Sequence, residues 1–396
     1  MTAYLAVLRA GRIGWLELAT LVGRLPIGIN GLALVLFLKE ETGSFGPAGA
    51  VAGGMALGIG LGAPIMGRIV DRRGTGVLML LAAGHAAGIL GLLALGKADA
   101  PQVLLVALAV FTGAMFPPSP SVLRARFPAL LRDQPHLMQS AYALDSVLLE
   151  LSFVTAPLLV ALVVAVLDPG AALVLAAATG VAGTAAFVAL LPAGCEPVRP
   201  AGADRDLLGP LRSPALRALV ITMLPFGFAI GAVEVSLPAF SEAEGNRDLA
   251  GILLATWSIG SAVGGFVYGV RPRAIPVARA HFRFAVLLPL GFLPALLAPS
   301  IPLMALLIVP AGLFIAPLIA TRNELASSVA PPGTATEALT WPLTALVGGI
   351  ALGAAVGGAL ADAEGWRAVI LAAVAAGSVG AAIATSRRAT LAAATA

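Results

Sequence analysis

Twelve stretches of this sequence each run for about 20 or more predominantly apolar residues, the length a helix needs to cross a bilayer. Hydrocarbon offers no hydrogen-bond partner, so a crossing segment must satisfy its own backbone as a helix or join a closed barrel. Barrel strands are only about 9–11 residues long, and these stretches therefore predict helices. The first six read as Ile13–Leu38, Ala48–Met66, Gly76–Gly96, Gln102–Leu123, Leu137–Leu167 and Ala171–Leu191. The second six are Pro214–Phe240, Leu249–Val270, Phe282–Ala298, Pro302–Ala320, Thr334–Leu360 and Trp366–Ser386. Charged residues make up 11% of the chain, less than half of the roughly 25% usual in soluble domains. So few charges could not cover a water-facing surface. The 46 Gly and 29 Pro fall inside the apolar runs as well as between them, which packed helices in lipid tolerate.

Several function classes drop out at this stage. The single Cys195 excludes an internal disulfide, and His85, His136 and His281 lack metal-ligand spacing. The net charge of +4 is spread over short loops, so no nucleic-acid partner is expected. No Gly-x4-Gly-Lys-Ser/Thr loop is present for direct ATP drive. The run from Ile13 is too long for a signal-peptide core and lacks a small-residue cleavage site.

Loop charge orients the chain, because Lys and Arg concentrate on the cytoplasmic side. With both termini on one side, that side collects Arg9, Arg12, Arg68, Arg72, Arg73, Arg124, Arg126, Arg132, Arg217, Arg271, Arg322, Arg387 and Arg388, among others. The opposite side holds only Lys39, Lys97, Arg247 and Arg367, with acids such as Glu242, Glu244, Asp362 and Glu364. Cytoplasmic termini follow as the expectation. The longest polar gap, 192–213, reads as a linker between bundles at 1–191 and 214–396. The two bundles repeat. Leu25-Pro26-Ile27-Gly28 answers to Leu224-Pro225-Phe226-Gly227, and Gly58, Gly62 and Gly67 answer to Gly260, Gly264 and Gly269. Gly113 with Pro118 answers to Gly312 with Pro317. The offsets are 199, 202 and 199 residues. An ordered set at nearly one offset marks a duplicated six-helix unit.

At the junction of the second and third helices stands Gly67-Arg68-Ile69-Val70-Asp71-Arg72-Arg73-Gly74. This resembles the cytoplasmic signature of the major facilitator superfamily: Gly67, then Asp71, a basic Arg72 and Gly74. The resemblance covers essentially the whole chain. It implies two pseudo-symmetric six-helix bundles and transport by alternating access rather than enzymatic turnover. It also implies that Asp71 braces a cytoplasmic gate between the halves. Where the family continues with two more basic residues, Thr75 and Gly76 stand here. The corresponding second-half loop, Gly269-Val270-Arg271-Pro272-Arg273, has no acid, so the gate contact is expected to be asymmetric. Drug-exporting members carry a Gly-Pro with a Gly four residues earlier in helix five; Ser152 and Ala156-Pro157 match it in part. Their helix-four arginine would fall at Ala109 and is absent.

Ionisable groups inside a span cost about 2.5–3.5 kcal/mol each at mid-bilayer, which makes them functional candidates by default. Arg24, Asp145, Glu150 and Glu234 form the candidate proton or ion-pair site. Arg24 lies between the two helix-five acids in depth, so an Arg24–Glu150 or an Arg24–Asp145 pair is expected, or Asp145 with Arg124. These groups serve either as a fixed ion pair or in transport; Glu234 has no evident partner in its own helix. Asn30, Thr112, Tyr142, Trp257, Asn323 and Trp341 are candidate substrate-cavity residues, although ordinary packing explains any one of them more simply. Phe116-Pro117-Pro118-Ser119-Pro120 is the most interrupted backbone in any span. His85 and His281 read as structural.

The resulting expectation is a proton-coupled exporter of small amphipathic or drug-like molecules, with no other cofactor. It would be a multi-pass monomer in the lipid bilayer of the cell's inner (plasma) membrane. Alternatives are an importer of a small polar metabolite, a lipid flippase and a non-transporting receptor. The orientation has a direct test in a Cys195→Ala background. A cysteine replacing Asp204 should resist an impermeant thiol reagent in intact cells, and one replacing Glu244 should react; the reverse pattern would invert the topology.

Overall fold

A computed structural model describes residues 2–42, 45–192, 209–246, 249–271 and 274–393. Most of the linker, with Cys195, lies outside the described residues. Every regular element among the described residues is helical. Among the described residues, twelve helices are long and apolar enough to cross a membrane. They are α1 (Ile13–Thr42), α2 (Pro47–Arg73), α3 (Val77–Lys97), α4 (Gln102–Leu130), α5 (Pro135–Val166) and α6 (Pro169–Leu190). The second half holds α7 (Pro214–Ala243), α8 (Ala250–Val270), α9 (Val277–Leu297), α10 (Ile301–Ser328), α11 (Ala335–Glu364) and α12 (Trp366–Ser386). An even number of crossings brings both termini to one face, called here the terminal face.

The helices extend beyond the apolar runs, mostly toward that face. Hydropathy ends α4 at Leu123 and α10 at Ala320, but helical hydrogen bonding continues to Leu130 and Ser328. In consequence Arg124, Arg126 and Arg322, read from the sequence as loop cations, stand on helices and are buried to 4%, 2% and 1% exposure. The interrupted stretch in α4 is real: helix stops at Ala114 and resumes at Ser119. α10 breaks at the equivalent place, between Gly312 and Ile315, because the Gly-Pro pairs are themselves repeated.

Glycine spacing sets the packing inside each half. A Cβ on Gly62 would press into Ala114 of α4, and one on Gly264 would overlap the Leu313 carbonyl of α10. α2 thus packs on α4 as α8 packs on α10, with backbones approaching as only small residues permit. The apolar core forms four clusters. Two of them mix the halves, one joining Ala320 to α1–α6 residues and one joining Ala125 to α7 and α11 residues, both near the terminal face. The two clusters farther from that face each draw all their members from one half. The halves are therefore packed together at the terminal face and stand apart beyond it.

Adding a branched side chain at Gly264 should force α8 off α10. Overpacking of this kind costs about 1–3 kcal/mol, and Gly264→Val should melt well below the parent in a detergent thermal-shift assay. Gly348→Ala, where a Cβ meets open space, should leave the melting temperature unchanged.

Candidate functional site

The first of the two seams between the halves is built on a helix end. The first N–H groups of α11 have no partner within their own helix. Thr334 precedes them but makes no side-chain cap; its hydroxyl donates instead to the Pro331 carbonyl at 2.8 Å. The cap comes from the other half. Asp71, 7% exposed at the end of α2, accepts the Glu337 N–H at 2.9 Å and the Thr336 N–H at 3.2 Å. A carboxylate at a helix N-terminus also meets the positive end of the macrodipole. One turn before Asp71, Arg68 grips Glu337 with two parallel bonds, Nε–Oε2 at 2.9 Å and Nη2–Oε1 at 2.6 Å. Trp341 Nε1 donates to the same Oε1 at 3.2 Å. Gly67 makes this approach possible, because a Cβ there would lie 3.1 Å from the Glu337 Cα. Gly74 ends α2 at φ +83°, a left-handed turn that favours glycine. Arg72 is half-buried beside Asp71. Deeper along the seam, Thr344 donates to the Gly60 carbonyl at 2.7 Å.

The second seam, between α5 and α8, is the pseudo-symmetric partner, and among the described residues its terminal end is held by neutral side-chain donors on backbone carbonyls. Gln139 donates to the carbonyls of Tyr268 and Arg271, and Ser140 donates to that of Gly269 at 2.6 Å. A short helix ahead of α1, Thr2–Arg9, adds Tyr4, whose hydroxyl donates to the Gly265 carbonyl at 2.9 Å. Burial pushes the Tyr4 phenol above its ordinary range, so it remains a donor at all moderate pH. Ten residues past Ser140, Glu150 accepts from Ser261 of α8 at 3.0 Å.

Asp145 is the hub of a third cluster. Arg24 of α1 reaches its Oδ1 at 2.6 Å and Arg124 of α4 reaches its Oδ2 at 2.8 Å. Glu17, two turns before Arg24 on α1, stands 3.9 Å from the same guanidinium. Arg24, Asp145 and Glu17 are each no more than 1% exposed. The cluster ties α1, α4 and α5 together in the buried interior of the first half. In α10, Arg322 is held by its neighbour Asn323, whose Oδ1 accepts from Nε at 3.1 Å and Nη2 at 2.6 Å.

Of the two partners open to Arg24, the structure gives it Asp145 and not Glu150, and Asp145 takes Arg124 as well. Glu150 faces the other half instead. Glu234 of α7 is exposed and lies near enough for its charge to act on Glu150. Of the six cavity candidates, five lie in packed interior. Asn30 Nδ2 is 3.2 Å from His85 Nε2, and His85 Nδ1 is 2.7 Å from the Thr112 carbonyl, a chain that joins α1, α3 and α4. Tyr142 donates to the Arg124 carbonyl at 3.2 Å and meets Phe127 edge-on. Trp257 belongs to the second-half core; Asn323 binds Arg322. Trp341 alone is half-buried, and it belongs to the Asp71 seam. The sequence reading missed Glu17, Glu337 and Ser261. Glu17 could have been found from its spacing to Arg24, since seven residues return to the same helix face. The other two offer no such signal, because their partners come from the opposite half.

A twelve-helix membrane bundle, duplicated and joined by two seams at one face, has the architecture of a two-half transporter. The model of the Major Facilitator Superfamily matches residues 16–272. The chain belongs to that superfamily, whose members are transporters rather than enzymes. Among solved structures it resembles the human organic anion transporter MFSD10 (TETRAN) at 16% identity and TM-score 0.73, covering 96% of this chain and 99% of that one. It also resembles a bacterial homologue of the iron transporter ferroportin in an outward-facing state, at 13% identity and TM-score 0.79, covering 94% and 98%. The E. coli fucose:proton symporter FucP matches at 13% identity and TM-score 0.66, covering 96% and 99%. At these identities the likeness shows the fold alone. No curated protein matches the sequence.

Asp71→Asn keeps the size of the side chain, removes its charge and leaves one of the two capped N–H groups without an acceptor. A charged cap is worth about 1 kcal/mol, so the seam should open roughly fivefold more often. Spin labels at Arg73 and Pro332, in the Cys195→Ala background, should show a growing long-distance population. An unchanged distance distribution with normal transport would remove Asp71 from the seam's energetics.

Proposed function

We propose that this protein is a proton-coupled exporter of small amphipathic molecules that works by alternating access from the inner (plasma) membrane, with both termini cytoplasmic. On that reading the terminal face is the cytoplasmic one. Asp71 and Arg68, with Glu337, form the cytoplasmic gate, closed in this conformation. The observation that carries the coupling is the Glu150–Ser261 hydrogen bond. It crosses between halves, one partner is ionisable, and Glu234 lies nearby. Neither acid makes an ion pair among the described residues.

Carboxylates in a membrane interior call for a compensating charge. A proton supplies it, and so does the cationic group of an amphipathic substrate; the two exclude one another, which is the requirement for exchange. A hydrogen bond to an ionised acceptor is about twice as strong as a neutral one. Proton uptake at Glu150 therefore weakens a contact between the halves, and release restores it. The apolar spans and the small residues Ser152 and Ala156 before Pro157 support an amphipathic substrate.

A competing reading, movement of a small polar or anionic metabolite, draws on Arg322, whose buried Nη1 has no hydrogen-bond partner, and on the organic anion named for MFSD10. Proteoliposomes separate the two. Under a pH gradient the protein should move ethidium, an amphipathic cation, and Glu150→Gln should abolish that movement while leaving ethidium binding nearly unchanged. Transport at the normal rate in the Gln variant would reduce Glu150 to a structural role, and transport of anions but not ethidium would favour the competing reading.

A further inference from the structure

On the outer side of the α5–α8 seam, a cleft of about 580 Å³ opens between α8, α9 and α10 at the terminal face. Its walls are mainly apolar, with Phe284 and Leu287 from α9 and Phe314 from α10. Two arginines share the lining, Arg271 at the end of α8 and Arg283 on α9, and among the described residues no acid does. Both arginines are exposed. Neither side chain makes a hydrogen bond or ion pair with any described residue. Arg283 stands six residues past Val277, roughly 9 Å along the helix axis, on the part of a span that borders the headgroup layer.

We propose that this cleft holds an anionic phospholipid, with the phosphate between Arg271 and Arg283 and the start of an acyl chain against Phe284, Leu287 and Phe314. Two unpaired cations beside an apolar wall match an occupant that is anionic at one end and apolar at the other. Within the bilayer, the leaflet itself supplies that molecule. Free phosphate would satisfy the arginines and leave the wall unused. Basic pockets between membrane helices recognise anionic headgroups on these terms, and long basic side chains reach such headgroups by snorkelling.

The site also depends on conformation. Gln139, from the first half, lines the same cleft while it bonds to the Tyr268 and Arg271 carbonyls across the seam. Opening the seam removes one wall, so a lipid seated there favours the closed terminal face.

The test is native mass spectrometry of the full-length protein from micelles containing equal DOPG and DOPC. The parent should retain DOPG preferentially. Arg271→Gln with Arg283→Gln should weaken that retention about thirtyfold, the weight of two guanidinium groups near a headgroup. Arg387→Gln with Arg388→Gln, exposed on the same face, should keep it. Leu287→Trp, which fills the cleft and spares both arginines, should lose it, and this variant decides the matter if the arginine pair is needed for folding. Excess inorganic phosphate should not displace the lipid. Parental DOPG preference in either cleft variant, an equal loss in the Arg387/Arg388 control, or displacement by phosphate would overturn the proposal.

Discussion

The bilayer provides no water to accept a charge or finish a helix, and the architecture of this protein follows from that lack. A helix end or an ionised side chain in a soluble protein can turn to solvent; here those enclosed between the helices must find a partner in protein. Asp71 completes the start of α11 because Thr334 does not, and Arg68 and Glu337 neutralise one another across the same gap. Deeper in, Asp145 is shared by two arginines, Arg24 and Arg124. Such pairs gain little over a well-packed apolar core, but losing one partner leaves a buried charge that costs several kcal/mol. They therefore act as all-or-none latches.

The two seams use the duplicated fold differently. Between α2 and α11 the contact is ionic and includes a helix dipole. Between α5 and α8 it is made by amide and hydroxyl donors on backbone carbonyls, with a single carboxylate, Glu150, farther from the terminal face. Gln139 stands in α5 near the place that Glu337 holds in α11. A neutral residue there gives the second seam hydrogen bonds where the first has an ion pair. Divergence of the two halves has thus made one seam ionic and the other largely neutral.

Much of this was legible in the sequence. The spans, their number and their duplication follow from hydropathy and from Gly and Pro spacing, which are local properties. The motif around Asp71 marked where the halves meet, and the lack of an acid after Gly269 foretold that the two seams would differ. The cavity residues were not legible, because polarity within a span says that a group needs a partner and not which way it faces. Asn30 found its partner in His85 and the Thr112 hydroxyl found its own in the Leu108 carbonyl, inside one bundle.

The sequence by itself determined that the chain is a duplicated, all-helical membrane protein of twelve crossings, since chain length against bilayer thickness admits little else. Tertiary structure decided which charges pair. Arg24 is close in depth to both Asp145 and Glu150, and hydropathy cannot separate them. Only the rotation of α5 about its axis turns Asp145 toward Arg24 and Arg124 and turns Glu150 toward Ser261. That rotation is set by how ridges and glycine grooves of helices distant in sequence interlock, and no local pattern encodes it.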